Sequence, residues 1–199
     1  MAPAKRSAHA ANALRASLVE HAARLVRREG AGALTMRALA AEAGCAVGLP
    51  YKVFGSREEL VATLVDEQFR QLTAALDDIV AVAGTRTVAE NLGRFAEVLL
   101  GAETEVIKLA GNVQDTRMAE QVEKSAHGTA FVDALTTTVA RYLTAEKRLG
   151  RIGDTVDVDA VEFLVTGAIH NQLVSGTAYP RPDLVEISRY LSWFARVLA

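Results

Sequence analysis

The sequence predicts an all-α protein, with a basic N-terminal head of three helices followed by a bundle of about six more. Three observations predict it. Apolar residues recur at helical spacing almost throughout, and no run shows the two-residue alternation of a half-buried strand. Glycines at 30, 44, 55 and 84 interrupt those patterns where helices should stop. Charge is unevenly divided: residues 1–57 hold nine basic and three acidic side chains, a net +6, while the remainder is −8 and the whole chain −2. A basic head on an acidic body points to a polyanionic partner for the head alone.

Taken in order, residues 1–8 are expected to be disordered. Leu14, Leu18, Ala22, Leu25 and Val26 lie on one face of a helix over 10–29, which Gly30 and Gly32 stop. Thr35 is placed to cap a second helix, Met36 to Ala43, with Met36, Leu39, Ala40 and Ala43 inward. Gly44 supplies the turn, and a third helix fits Val47 to Phe54. Ser56 and Glu59 have capping-box spacing at the start of a fourth helix that runs to about Ala81. Further helices fit 86–100, 103–113, 116–148 with a break near His127-Gly128, 157–176 and 183–198. Gly150 to Thr155 and Ala178 to Pro182 read as loops. The domains are expected to be 1–57 and 58–199.

Composition narrows the function. The single cysteine, Cys45, rules out an intrachain disulfide and fits a reducing, cytoplasmic setting. No apolar run approaches the ~20 residues of a spanning helix, so no membrane partner is expected. His9, His21, His127 and His170 share no metal-ligand spacing, and neither a metal nor a cofactor is expected. Ser175-Gly176 is not a nucleophile elbow, no phosphate-binding glycine loop occurs, and Asp77-Asp78 fits a solvated face, so the function is expected to be non-enzymatic.

Three short helices at the basic end suggest a helix-turn-helix, whose third helix would lie in the major groove of DNA. The run AGCAVGLPYKVFGSREEL, Ala43 to Leu60, resembles without a gap the TetR-family pattern AGVSKGTLYHYFKSKEEL. Matches fall on Ala43, Gly44, Gly48, Tyr51, Phe54, Ser56, Glu58, Glu59 and Leu60, and Thr35-Met36-Arg37 resembles the family's start of the second helix. The resemblance implies a homodimeric regulator that binds double-stranded operator DNA and, as a repressor, leaves it when a small molecule binds the C-terminal domain. Thr35, Arg37, Tyr51, Lys52 and Arg57 would then contact phosphates, which set register, while Val47, Leu49 and Lys52 are candidates for base edges. An apolar side chain at 47 or 49 reads only features such as a thymine methyl.

Three of the departures from the pattern bear on DNA contact. Leu49 replaces a phosphate-binding threonine, Ala46 replaces a capping serine, and Pro50 lacks an amide and disfavours helical geometry at Leu49. The third helix is therefore expected to begin late or with a tight turn. These departures motivate an alternative, a helical small-molecule binder or interaction module with weakened operator binding. Cys45 reads as packing rather than a redox sensor.

The body offers candidates for two further surfaces. Phe95, Asn112, His127, Phe131, Phe163, Thr166 and His170 are candidates for an effector pocket, mainly apolar with a few orienting polar groups. The other reading of His170 is a hydrogen-bonded core or dimer contact. With no Arg, Lys or acidic cluster there, the expected effector is hydrophobic and uncharged or weakly charged. Leu164, Ala168, Leu184, Ile187, Leu191 and Phe194 are candidates for a dimer interface in which two helices per chain form a four-helix bundle. Tyr190, Trp193 and Val197 widen the last helix's apolar stripe.

Overall fold

The computed structural model describes residues 3–101, 106, 124–174 and 182–199. Their elements are α-helices and one short 3₁₀ turn, with no strand among the described residues. They form two compact units, one reaching from the N-terminus to Gln68 with Ser125 brought back onto it, the other comprising Phe69–Gly101 and Ala126 onward. No described helix is long and apolar enough to cross a membrane.

In the first unit, α1 spans Pro3–Glu29. It begins well before residue 10, because the alanine-rich stretch 8–16 carries strong helix formers and no glycine. Leu18, Val19, Ala22, Leu25 and Val26 are buried, whereas Leu14, expected on the same face, is exposed. Gly30 ends the helix at φ 84°, its N–H donating to the Val26 carbonyl at 2.8 Å. A 3₁₀ turn, Ala31–Ala33, leads to Thr35. Helix α2, Met36–Glu42, buries Met36, Leu39 and Ala40. Gly44 turns the chain at φ 61°, with open space around it, so backbone conformation rather than crowding calls for glycine. Helix α3 is Gly48–Phe54 and α4 is Arg57–Ala81. Helix α4 contributes to the first unit as far as Gln68 and to the second from Phe69.

The second unit is built on the end of α4 with α5 (Val88–Leu100), α6 (Ala126–Arg148), α7 (Val158–Val174) and α8 (Leu184–Leu198). Helices α5 and α8 open with reciprocal capping boxes, Thr87 with Glu90 and Asp183 with Glu186. The α5 helix starts at Val88 rather than 86 because Thr87 caps it and Arg86 has a left-handed backbone, φ 49°. Helix α5 packs chiefly on α8, and α6 on α7. Leu92, Phe95, Leu99, Val139, Tyr142 and Leu143 form the centre of the core. Phe69 and Phe131 stack with centroids 4.9 Å apart and ring planes 11° from parallel. The expected break at His127-Gly128 is where α6 begins, at Ala126. The helix expected over 103–113, the part of 116–148 before 124, and the 178–181 loop lie outside the described residues.

Candidate nucleic-acid interface and regulatory domain

The start of α2 is built as the sequence predicts. Thr35 has an extended backbone, and its hydroxyl accepts from the Ala38 N–H at 3.0 Å. Arg37 follows in the first turn. It is exposed and makes no hydrogen bond or ion pair among the described residues.

The first turn of α3 is tight, the Leu49 N–H donating to the Ala46 carbonyl at 2.9 Å, and no side chain caps it. Pro50 is the third residue of the helix and is buried. The first four amides of a helix lack intrahelical acceptors, so Pro50 sacrifices no hydrogen bond there. The proline therefore shapes the helix start without breaking it. Pro50 and Phe54 anchor α3 inward. Val47, Gly48, Tyr51 and Lys52 form its outward face, with Val47 45% and Tyr51 52% exposed, while Leu49 is half-buried on the flank. Lys52, like Arg37, has no partner among the described residues. This outward face joins one cation to a phenol and an apolar side chain on a helix whose other face is fixed.

Three other cations of the head, Arg57, Arg15 and Arg28, bond within it. The Arg57 guanidinium donates from Nε to the Leu34 carbonyl at 2.7 Å, tying the start of α4 to the residue before the α2 cap. Arg15 donates to the Val53 carbonyl and the Thr63 hydroxyl. Arg28 bonds both Glu29 and Glu42 at 2.8 Å, joining the ends of α1 and α2. Those bonds raise the Arg28 guanidinium further above its ordinary range and hold the Glu42 carboxyl below its own. Cys45 is half-buried in the turn, its N–H donating to the Ala40 carbonyl at 2.9 Å.

In the second unit the expected pocket residues do not share one surface. Phe95 and Phe131 are buried. Thr166 is buried on α7, and its hydroxyl has no partner among the described residues. Phe163, 76% exposed, and His170 face outward, His127 is half-buried, and Asn112 lies outside the described residues. The dimer candidates also divide. Leu164, Ala168 and Leu184 are exposed and Phe194 is half-buried, but Ile187 and Leu191 are buried because that side of α8 covers α5. The outer stripe of α8 is instead Tyr190, Trp193 and Val197. An apolar groove of about 270 Å³ runs between α7 and α8, lined by Leu164, Ala168, Ile187, Leu191, Trp193 and Phe194 among others. No cluster of metal-ligating side chains occurs among the described residues.

Sequence reading missed one polar network. The Asn91 amide donates to the Thr85 carbonyl at 3.0 Å and to the Tyr142 hydroxyl at 3.1 Å. Glu146, fully buried, accepts from the Gly84 N–H and from Arg151. Arg151 also donates to the carbonyls of Thr85 and Arg86. Burial, then the neighbouring Glu146 carboxylate, push the Tyr142 phenol well above its ordinary range, partly offset by the Asn91 amide.

The head is thus a helix-turn-helix of the DNA-binding class, carried on an all-helical body. Residues 18–64 match the bacterial regulatory proteins, tetR family, and this N-terminal domain belongs to that family. No curated protein matches the sequence. The fold of the whole chain is similar to that of solved regulators. The TetR transcription regulatory protein from Mycobacterium vanbaalenii is 21% identical, with a TM-score of 0.58 over 97% of this chain and 98% of that one. FadR from Bacillus subtilis, solved with stearoyl-CoA, is 17% identical, with a TM-score of 0.57 over 90% and 96%. A Saccharomonospora viridis protein solved with choline is 18% identical, with a TM-score of 0.66 over 93% and 96%.

Proposed function

We propose that the protein is a homodimeric transcriptional repressor that leaves its operator when an apolar small molecule occupies its C-terminal domain. The observation that carries this reading is the outward face of α3, with Val47, Tyr51 and Lys52 presented while Pro50 and Phe54 hold the opposite face. Thr35, Arg37, Tyr51 and Lys52 contact phosphates, and Val47 with Leu49 meets base edges. The functional division falls where α4 begins, with residues 1–57 as the head and 58–199 as the regulatory and dimerisation domain. Because Pro50 fits the first turn of α3 at no hydrogen-bond cost, it gives no support to a head that has lost operator affinity.

The dimer forms through the exposed side of α7, with Phe163, Leu164, Ala168 and His170, and the outer stripe of α8, with Tyr190, Trp193 and Val197. Isolated apolar side chains on a surface are ordinary, but two neighbouring stripes flanking an apolar groove suit a second copy. The effector lies in the interior near Phe95 and Phe131, with the unpartnered Thr166 hydroxyl as an orienting group. The stearoyl-CoA and choline complexes of similarly folded proteins support a ligand-taking domain. Effector binding shifts the dimer away from head spacings that match successive major grooves, about 34–36 Å apart.

The test is titration of the full-length protein with a labelled duplex from the DNA flanking its own gene, over a salt series, alongside sedimentation. The reading requires a dimer whose log affinity falls linearly with log salt, by about 0.9 per phosphate neutralised. A monomer binding a palindrome at full affinity, or salt-insensitive binding, overturns it.

A further inference from the structure

We infer that Arg15, a cation of α1 outside the helix-turn-helix, positions the recognition helix instead of binding phosphate. This rests on the reading of the head as an operator-binding domain. The Arg15 guanidinium joins three helices. One terminal nitrogen donates to the Val53 carbonyl of α3 at 3.1 Å, and the other donates to the Thr63 hydroxyl of α4 at 2.8 Å. The central carbon stands 4.8 Å from the centroid of the Phe54 ring.

Each contact meets a need of its partner. The last four carbonyls of a helix have no intrahelical donor. At the end of α3, the Gly55 N–H serves Tyr51 and the Ser56 N–H reaches Phe54, and Arg15 supplies Val53. A cation there also opposes the negative end of the helix dipole. The Thr63 hydroxyl spends its proton on the Glu59 carbonyl at 2.8 Å, which leaves its oxygen as the acceptor Arg15 requires. The guanidinium plane and the Phe54 ring then add a cation–π contact on the residue that anchors α3.

The recognition helix depends on such a tie. It has seven residues, no side-chain cap at its start, and two buried anchors, Pro50 and Phe54. A helix that short does not hold its own geometry, so tertiary contacts set the direction in which Val47, Tyr51 and Lys52 point. Planar, forked geometry suits a joint with acceptors on two elements and a ring on one of them, and lysine cannot reproduce it. Arg37 and Lys52, by contrast, are exposed and unpartnered among the described residues.

Salt dependence separates a positioning residue from a phosphate ligand. The full-length protein and three variants, Arg15→Gln, Arg15→Lys and Thr63→Val, are titrated with the labelled flanking duplex over a salt series. Folding is followed by circular dichroism and assembly by sedimentation. Arg15→Gln is expected to weaken binding about tenfold with an unchanged log-log salt slope, since no phosphate contact is removed. Arg15→Lys keeps the charge and still loses affinity. Thr63→Val, which leaves Arg15 intact but removes its acceptor, shifts affinity in the same direction and by less. A slope shallower by about 0.9 in Arg15→Gln makes Arg15 a phosphate ligand and overturns the inference. So does unchanged affinity in that variant. Should Arg15→Gln fail to fold, Thr63→Val decides, because freeing a phosphate-binding arginine leaves binding intact or tightens it. A wild-type protein that binds no duplex at any salt overturns the operator-binding reading, and this inference with it.

Discussion

Glu146 and Arg151 form an ion pair at 3.1 Å in which the carboxylate is wholly buried and the guanidinium about a quarter exposed. The N–H direction favours the other carboxylate oxygen, at 3.3 Å. The pair ties the end of α6 to the turn between α4 and α5 through the Gly84 N–H and the Thr85 and Arg86 carbonyls. Breaking a buried pair leaves a charge without its partner, which costs more than the pair contributes net. Arg151 retains some water, so Glu146→Ala should lower stability by about 3 kcal/mol, the low end for such losses. Urea unfolding measures it, and a loss under about 1 kcal/mol would show that the pair is solvated in solution.

Tyr142 gives a pH signature. Its phenol is held protonated in the folded state, by burial first and Glu146 second, while the unfolded chain releases that proton near the ordinary value of about 10. Above about pH 10 the unfolded state therefore binds fewer protons than the folded one, and stability falls as pH rises. That contribution is fully present below pH 10. Tyr142→Phe should remove this alkaline slope and cost roughly 1 kcal/mol at neutral pH, because the Asn91 amide loses its acceptor. Thermal unfolding between neutrality and the alkaline range reports both effects; an identical slope in wild type and variant would refute the assignment.

Arg37 and Val47 should fail differently. Arg37→Ala is expected to weaken all duplexes alike and reduce the salt slope by about 0.9, as loss of one phosphate contact does. Val47→Ala is expected to keep the slope and alter the ranking of duplexes that differ by a thymine methyl. Binding to a panel of such duplexes checks both.

Trp193 is 60% exposed on the outer stripe of α8. Trp193→Asp should convert the dimer to monomer in sedimentation at micromolar concentration, since a charge in an apolar interface loses its water without gaining a partner. Stability of the isolated subunit should hardly change. A dimer that survives the substitution relocates the interface.

Most of the helical framework was legible in the sequence, because glycines, caps and apolar spacing act locally. Thr35, Gly44 and Ser56 each do what their neighbours in the chain require. The tight start of α3 was legible for the same reason, in Ala46 and Pro50. The capping boxes at Thr87 and Asp183 carry the same local signal. What was not legible depends on partners far along the chain. Arg15 and Arg57 look like free cations until Val53, Thr63 and Leu34 are brought beside them. Likewise, the stripe of Ile187 and Leu191 is apolar whether it faces α5 or a second subunit, and only the fold separates them.

The chain's sole thiol sits in the turn between α2 and α3, half-buried, its backbone amide bound to Ala40. Wild-type protein thus carries a built-in chemical clock. A mild alkylating reagent meets Cys45 at a rate set by the access its half-buried side chain keeps in that turn, so labelling reports on the turn without an introduced probe. A duplex seated against the neighbouring Val47 should slow the clock, which makes footprinting of the recognition turn possible by mass spectrometry alone.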